Sequence, residues 1–494
     1  MKDLSTKDES IANGQFQLTP VTAALLIGLS MSSATEAAIK PFRVDQTNPT
    51  SGAGGKRIAI DGAGNSVLVW ATQAYYVGGN PQAALVFRRY DRAGIALGAP
   101  AVASLNVDEG YEPAPSTACN KAGKVVIVWF SGTSVLARRL GIGGAPDGPE
   151  ITVNETVADE TSYAPRVAID GSGKFVVVWS TAGGILRGRL FGADGNALSG
   201  EITLNDQDLD ENISADVAMD ENGNFAATWL SGGRVLVRRF SSTGSPLGSG
   251  VRADLTREDD YDFDPDNVTV ESILAEPVIA MDETGDFAIA WDREEKTTKR
   301  SIKRIPKKCY RSYGYTYCND AYDLQVYKLT TKSTIRFRRF AATGLPVSAL
   351  ETEAATVTST GNFDENDTDV QFASFSLLGA PSIAMDRDGD FTVAWVNEKT
   401  SRKKKCYTSY GYKYCENIDT YSSAIQAQKF KPDGKSAGKL NISASTKLLP
   451  FNLSPSVTMG SEGDLGVSWF KGSPDTASYT SEFWAKTYPV KMKK

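Results

Sequence analysis

The chain has 494 residues, of which 41% are hydrophobic and 23% charged, and this composition is typical of a globular protein with a large core. Its net charge of −6 indicates a mildly acidic surface, which disfavours general nucleic-acid binding. The sequence contains no histidine, which excludes Ser-His-Asp and Cys-His catalysis and removes the commonest zinc ligand. Catalysis by carboxylate, lysine or tyrosine side chains stays open.

The first predicted element is an export signal. An apolar run, VTAALLIGLS at 21–30, precedes small residues with candidate cleavage sites after Ala34 and Ala37. A run this short is typical of a signal peptide and is too short to span a membrane. The acidic residues Asp3, Asp8 and Glu9 depart from that pattern, and a disordered tail with an amphipathic helix is the alternative. We expect a signal peptide at 1–37, no membrane span, and a periplasmic, cell-surface or extracellular protein.

A repeat then runs along the chain. An apolar strand, a turn that reads D-x-x-G in five copies, and an alternating strand that ends in tryptophan recur seven times, as in RVAIDGSGKFVVVW at 166–179. Internal repetition at such a period indicates a repeat architecture. Two of the intervals between the tryptophans are 50 residues, so the unit is about fifty residues long and the other copies carry insertions. The repeat tryptophans are Trp70, Trp129, Trp179, Trp229, Trp291, Trp395 and Trp469.

Each unit predicts four short strands. After the tryptophan, a third strand ends in motifs such as VRRF at 237–240, and a fourth reads EITVN at 150–154 or EITLN at 201–205. Four antiparallel strands per unit are the blade of a propeller. The last unit stops after its third strand, SEFWAKTY, and KPFRVDQTNP at 40–49 supplies a strand that could complete it. The sequence therefore predicts an all-β, seven-bladed β-propeller over 38–494, closed by its N-terminal strand.

The repeat resembles those of secreted bacterial β-propeller proteins, which follow the pattern P-x-[VI]-A-x-D-x-x-G-x-F-x-V-x-W. The resemblance covers roughly residues 40 to 490, and R-x-F-x-x-x-G-x-P and E-I-x-V-N elements follow the main pattern in this chain. It implies an extracellular propeller. It names no ligand and supplies no catalytic residue that could be transferred.

Residues that recur in every blade are interpreted as structural. The aspartate of the D-x-x-G turn can accept backbone hydrogen bonds within its turn, and the glycine supplies a positive φ. Recurrent arginines are expected to pair with these aspartates or with neighbouring blades, and the tryptophans to pack in the core. Cys119, which replaces a strand isoleucine, is expected to be a buried free thiol. The recurrent polar residues are Asp61, Asp170, Asp220, Asp282, Asp386, Arg89, Arg139, Arg189, Arg239 and Arg339.

Two insertions, near 296–330 and 400–422, are not shared by the other blades. They contain KKCYRSYGYTYCND and KKCYTSYGYKYCEN, each with a Tyr-Gly pair at its centre. A two-residue turn at Tyr-Gly places Cys309 opposite Cys318 and Cys406 opposite Cys415, within disulfide reach. Such bonds fit an oxidising compartment. The adjacent basic runs, 296–308 and 402–405, are interpreted as solvated charge.

The same register gathers three tyrosines on one face of each hairpin. Amphipathic rings stack on sugars and are common at protein interfaces, so we expect a ligand-binding surface. The alternative is that the tyrosines pack on the neighbouring insertion or blade. The candidate ligand-binding residues are Tyr310, Tyr315, Tyr317, Tyr407, Tyr412 and Tyr414.

Acidic loops are predicted between the fourth strand and the next blade, at 205–212, 257–267 and 362–369. In a propeller they share a face with the hairpins. The carboxylates of Asp260, Asp262, Asp264 and Asp266 could bind calcium, which prefers six to eight oxygen ligands. The segment lacks the glycine of an EF-hand loop, and a solvated loop is the alternative. No other cofactor is expected.

These features favour an exported, non-catalytic binding module whose partner is a glycan or a cell-surface or extracellular protein. One alternative is a structural surface protein that self-associates through its hairpins, so oligomer formation stays open. Another is a propeller glycosidase or lyase, which needs two facing carboxylates or a Tyr or Lys base. The Ser-x-Asp-x-Gly-x-x-Trp box of sialidases is absent.

Overall fold

The computed structural model describes residues 40–44, 56–77, 80–107, 114–155, 165–181, 184–206, 215–255, 267–272, 277–364, 367–372, 374–409, 412–443, 455–472 and 481–490. These residues form 32 β-strands and no helix. None of them therefore belongs to a helix that could cross a bilayer. The segment expected to be a signal peptide, 1–37, lies outside the described residues.

Blades 1 to 4 are antiparallel four-stranded sheets whose strands follow one another in chain order. The first strand of the chain, β1 (Phe42–Arg43), belongs to the last blade. Blade 1 comprises β2 (Ile58–Ile60), β3 (Ser66–Val77), β4 (Asn80–Tyr90) and β5 (Ala101–Ser104). Blade 2 comprises β6 (Ser116–Cys119), β7 (Val125–Ser131), β8 (Ser134–Leu140) and β9 (Ile151–Thr152). Blade 3 comprises β10 (Arg166–Ile169), β11 (Phe175–Thr181), β12 (Ile185–Phe191) and β13 (Ile202–Thr203). Blade 4 comprises β14 (Ala215–Met219), β15 (Phe225–Ser231), β16 (Arg234–Phe240) and β17 (Val251–Arg252).

Blades 5 and 6 carry the insertions, and blade 7 closes the ring. Blade 5 comprises β18 (Asn267–Ser272), β19 (Val278–Met281), β20 (Phe287–Ile305), β21 (Lys308–Ser312), β22 (Tyr315–Asn319), β23 (Tyr322–Phe340), β24 (Thr352–Asp364) and β25 (Asp367–Phe372). Blade 6 comprises β26 (Ser374–Met385), β27 (Phe391–Ser409), β28 (Tyr412–Phe430) and β29 (Ser436–Asn441). Blade 7 comprises β30 (Ser456–Met459), β31 (Leu465–Gly472), β32 (Ser481–Tyr488) and β1.

The innermost strands contact one another in a closed circle, β2–β6–β10–β14–β19–β26–β30 and back to β2. In blade 7, β1 pairs antiparallel with β32, with Phe42 opposite Ala485. The backbone NH of Val44 extends this pairing by donating to the carbonyl of Phe483 at 2.7 Å. The prediction of a seven-bladed propeller closed by the N-terminal strand is confirmed.

The core is divided among the seven interfaces between blades. Each interface buries one repeat tryptophan, which packs against the preceding blade, and all seven are at most 4% exposed. Trp229, for example, lies with Val176 and Val178 of blade 3. The tryptophans recur because each interface needs one large apolar side chain, which buries the most surface at a single position.

Arginines of the third strand form hydrogen bonds between neighbouring blades. Those of blades 2 to 5 donate to carbonyl oxygens near the fourth strand of the preceding blade: Arg138 to Ala103, Arg189 to Val153, Arg238 to Leu204 and Arg338 to Ala253. The strand register makes Arg189 equivalent to Arg138, so grouping it with Arg139 was wrong by one position. The arginine one position later in the strand contacts the following blade instead. Arg139 of blade 2, for example, donates to the Ala193 carbonyl of blade 3. The expected role between blades is confirmed.

Candidate functional site

Two long hairpins rise from blades 5 and 6. In blades 2 to 4 the second strand ends two residues after the repeat tryptophan. In blade 5, β20 continues fourteen residues beyond Trp291, and in blade 6, β27 continues fourteen residues beyond Trp395. Cross-strand pairing continues from β20–β23 into β21–β22 in the same register, because Pro306 interrupts the ladder only locally. At about 3.3 Å per residue, the tip of the blade 5 hairpin lies about 60 Å along the ribbon from the blade.

The tip of the blade 5 hairpin has the predicted register. Tyr313 and Gly314 both have positive φ values, of 49° and 82°, as a type I′ turn requires. Cys309 faces Cys318 and the two are joined by a disulfide, with 4.0 Å between their Cα atoms. In blade 6 the same geometry joins Cys406 to Cys415, also 4.0 Å apart. Both disulfides predicted from spacing are thus present in the structure.

The tyrosines beside these disulfides are exposed. Tyr310 and Tyr317 stack on each other with ring centroids 6.2 Å apart, and Tyr407 and Tyr414 do so at 5.7 Å. Each of the four rings is still about half exposed, and Tyr315 is 70% exposed. Among the described residues, these stacked rings thus pack on their partners within one hairpin. The side chain of Tyr412 lies outside the described residues; its backbone pairs with Ser409.

The bases of the two hairpins are joined to each other. The hydroxyl of Ser333, on β23, donates to the Leu378 carbonyl at 3.1 Å and accepts from the Leu378 NH at 2.9 Å. Ser359, on β24, makes the same two bonds with Ser376 on β26. The side chain of Leu378, on β26, is buried. These contacts fix the root of one hairpin against the other, so both tips are presented from a shared base.

One of the predicted acidic loops is a strand pair. Residues 362–364 end β24 and residues 367–369 begin β25, with Asp364 opposite Asp367. The prediction of a loop there was wrong, because β24 extends to pair with the long β23 and its polar residues alternate on an exposed sheet. The candidate calcium ligands Asp260, Asp262, Asp264 and Asp266 lie outside the described residues. Within the described part of the chain, no three acidic or cysteine side chains converge as a metal site would require.

The central channel is narrow and occupied by protein groups. Cavities of about 130 and 180 Å³ lie along it, lined by the inner strands and their turns. Both are smaller than the roughly 300 Å³ at which ligand pockets begin. Cys119 lines both cavities as a half-buried thiol, and burial raises its pKa to about 12. Cys119 is a free thiol, as expected, but the expectation of full burial was wrong, because its side chain borders the channel.

A lysine crosses this channel. Lys56 of blade 1 places its ammonium 3.1 Å from the Asp216 carboxylate of blade 4 and 3.1 Å from the Ile279 carbonyl of blade 5. Asp216 is 2% exposed and also accepts from the Ile279 NH at 3.0 Å. Sequence reasoning missed this pair, yet a signal existed. Five of the other six blades have proline where blade 1 has Lys56: Pro115, Pro165, Pro277, Pro381 and Pro455.

Two lysines of the basic runs lie beside the tyrosines. Lys308 and Lys405 stand two residues before Tyr310 and Tyr407, on the same face of each ribbon. Both ammonium groups belong to exposed residues. The repeated KKCY tetrapeptide is the signal that could have identified them.

Comparison with known protein families and with curated proteins finds no match. Among solved structures, the chain is similar to a polysaccharide lyase of family PL25, an ulvan lyase bound to -[GlcA(1-4)Rha3S]-, with 8% identity and a TM-score of 0.46, over 90% of this chain and 95% of that one. It is similar to the Dos1 propeller, with 8% identity and a TM-score of 0.40, over 92% and 96%. It is also similar to AofleA from Arthrobotrys oligospora, with 9% identity and a TM-score of 0.32, over 61% and 87%. At these identities and TM-scores the likenesses support no conclusion about this protein.

Proposed function

We propose that the protein is an exported, non-catalytic binding module whose tyrosine hairpins contact a glycan or a cell-surface protein. The observation that carries this proposal is the pair of stacked, half-exposed tyrosines repeated on two disulfide-bonded tips. Clustered exposed apolar surface is typical of interaction sites, and rigid rings bind with a small loss of entropy.

The rest of the described structure supports binding rather than catalysis. The channel cavities are small, and the recurrent aspartates are held in their turns: Asp170, for example, accepts from the NH groups of Gly173 and Lys174 at 2.8 and 2.9 Å. A carboxylate that accepts backbone hydrogen bonds within its own turn stabilises that turn, which is a structural role. The paired disulfides support an oxidising compartment, in agreement with export.

The experiment is a glycan-array screen of the protein with and without calcium. The variant replaces Tyr310, Tyr317, Tyr407 and Tyr414 together by alanine, and the matched control replaces the exposed Tyr322 and Tyr421, lower on the same hairpins. We expect binding that the tip variant loses and the control keeps. Loss of the signal when calcium is removed would assign a role to the acidic segments.

Self-association is the competing function, and the same variants separate it. Sedimentation velocity over a concentration series should show a monomer if the tips bind a foreign ligand. An oligomer that the four-tyrosine variant abolishes, together with an array that stays blank, would replace the binding module by a self-assembling surface protein.

A further inference from the structure

The two hairpins concentrate positive charge on an acidic protein. Residues 296–330 contain nine lysines and arginines against two aspartates, and residues 400–422 contain five against two acidic residues. Their net charges are therefore +7 and +3, while the whole chain carries −6, which leaves −16 for everything else. A segregation this strong creates a field directed at the hairpins that attracts anions.

The acidic residues of the hairpins do not neutralise this charge at the tips. Asp323 is paired with Arg304 at 2.9 Å, Asp320 with Lys307 at 3.5 Å, and Asp419 with Arg402 at 2.8 Å. Each of these pairs is nearer the blades than the disulfide. Lys308, Arg311, Lys404, Lys405 and Lys413 have no ion-pair partner among the described residues, although Glu416 stands opposite Lys405 in the register.

Lysine and tyrosine alternate on the same face. On blade 5, Lys308 and Tyr310 are two residues apart on β21, so their Cβ atoms lie about 6.7 Å apart. On blade 6, Lys403, Lys405 and Tyr407 follow the same period on β27. Each tip thus offers a stacked pair of rings with an ammonium group beside it. A flat ring suits the apolar face of a sugar, and an ammonium group suits a carboxylate or sulfate carried on that sugar.

We propose that the hairpins bind an anionic polysaccharide, a polymer of sugars bearing carboxylate or sulfate groups. This inference rests on the proposed binding function and specifies its ligand class. A stacked pair of rings with cations beside it occurs on each of two neighbouring ribbons, which matches a polymer that repeats both a sugar face and an anion. The acidic remainder of the molecule repels the same polymer and confines it to the hairpins.

The test uses two matched pairs of polymers that differ in charge. Fluorescently labelled polygalacturonate is compared with its methyl ester, and dextran sulfate with dextran, by titration with the full chain. We expect binding to the charged member of at least one pair and none to its neutral counterpart. The affinity should fall steeply between about 0.01 M and 1 M salt, since the Debye length shrinks from about 30 Å to about 3 Å.

Two variants with equal changes of charge locate the site. Lys308→Gln with Lys405→Gln should weaken binding about tenfold, because each lost charge-assisted contact reduces the affinity. Lys174→Gln with Lys439→Gln, exposed lysines on the blades, should leave it unchanged. The four-tyrosine variant should lose binding while keeping all the cations, which bare electrostatic attraction would not predict.

The outcomes separate the two proposals. Equal binding of the neutral and charged polymers would overturn the anionic class and leave the glycan-binding function in place. Tighter binding of a single-stranded oligonucleotide of equal charge would identify a nucleic acid as the occupant, and salt-sensitive oligomers without polymer would identify a second copy of the chain. Binding that survives the four-tyrosine variant would overturn the site. No binding to any polymer or array glycan would overturn the anionic-polysaccharide proposal and the glycan form of the proposed function, and would leave a cell-surface protein as the ligand to test.

Discussion

The aspartate that begins five of the seven inner turns illustrates how one side chain can serve the same role around the ring. Its Oδ1 accepts two backbone NH groups of the turn, as Asp386 does from Asp388 and Asp390 at 3.1 and 3.0 Å. Asn120 fills the same position in blade 2 with the same two bonds. These side-chain bonds therefore require an oxygen and not a charge, because a neutral amide oxygen accepts hydrogen bonds equally well. In blade 7 the turn begins at Gly460 and closes through backbone hydrogen bonds.

The charge has a measurable cost in blade 6. Burial and the neighbouring Asp390 carboxylate raise the pKa of Asp386 to about 6. A carboxyl group whose pKa is raised on folding contributes stability that is fully present below about pH 4 and is lost as the pH rises through about 6. We expect Asp386→Asn to stabilise the protein by about 1–2 kcal/mol at pH 7 and by nothing at pH 4. Urea unfolding at both pH values measures this, and an equal gain at both would contradict it.

The hairpins show how an element can be ordered far from the core. Trp291 and Trp395 anchor their roots, while the tips are exposed ribbons of two strands, which are marginally stable in isolation. A disulfide closing a loop of nine-residue separation restricts the open state and stabilises the closed one by about 2–3 kcal/mol. The disulfides therefore supply the order that packing supplies elsewhere.

Removing the disulfides should loosen the tips and spare the blades. In the variant with all four cysteines, Cys309, Cys318, Cys406 and Cys415, changed to serine, we expect amide hydrogen exchange at both tips to accelerate about 50-fold. The strands β11 and β15 should exchange as in the wild type, since nothing in their contacts changes. Faster exchange throughout the propeller would show instead that the tips contribute to global stability. The Cys119→Ser variant is the control for losing a thiol outside the hairpins.

The whole ring is held together by contacts between residues distant in the sequence. Its edge is closed by β1 on β32, and Lys56 reaches across the channel to Asp216, 160 residues away. The ion pair links blade 1 to blade 4 on the opposite side of the ring, across the central channel that the inner strands surround.

A double-mutant cycle tests this link. Lys56→Met leaves the buried Asp216 without its counter-charge and should cost about 3 kcal/mol. Asp216→Asn combined with Lys56→Met should cost clearly less than the sum of the single changes, because no charge then remains buried. The free energies of unfolding come from urea titrations. Strictly additive effects would show that the two groups do not interact across the channel.

The sequence by itself determined the propeller, the blade count, the closing strand and the hairpin register. Each of these follows from local rules: a period of two in the strands, a turn at D-x-x-G or Tyr-Gly, and a tryptophan in every repeat. Once the turn is placed at Tyr-Gly, counting outward along the two strands pairs Cys309 with Cys318.

Only the tertiary structure decided which side chains meet across the ring and which stay exposed. Lys56 and Asp216 are brought together by closure of the circle, and the arginines that join blades were misaligned because register depends on a neighbouring strand. Likewise the tyrosine periodicity of the tips fits burial and exposure equally well. Exposure was decided by how far the ribbons extend beyond the blades, since a side chain is buried only where another element reaches it.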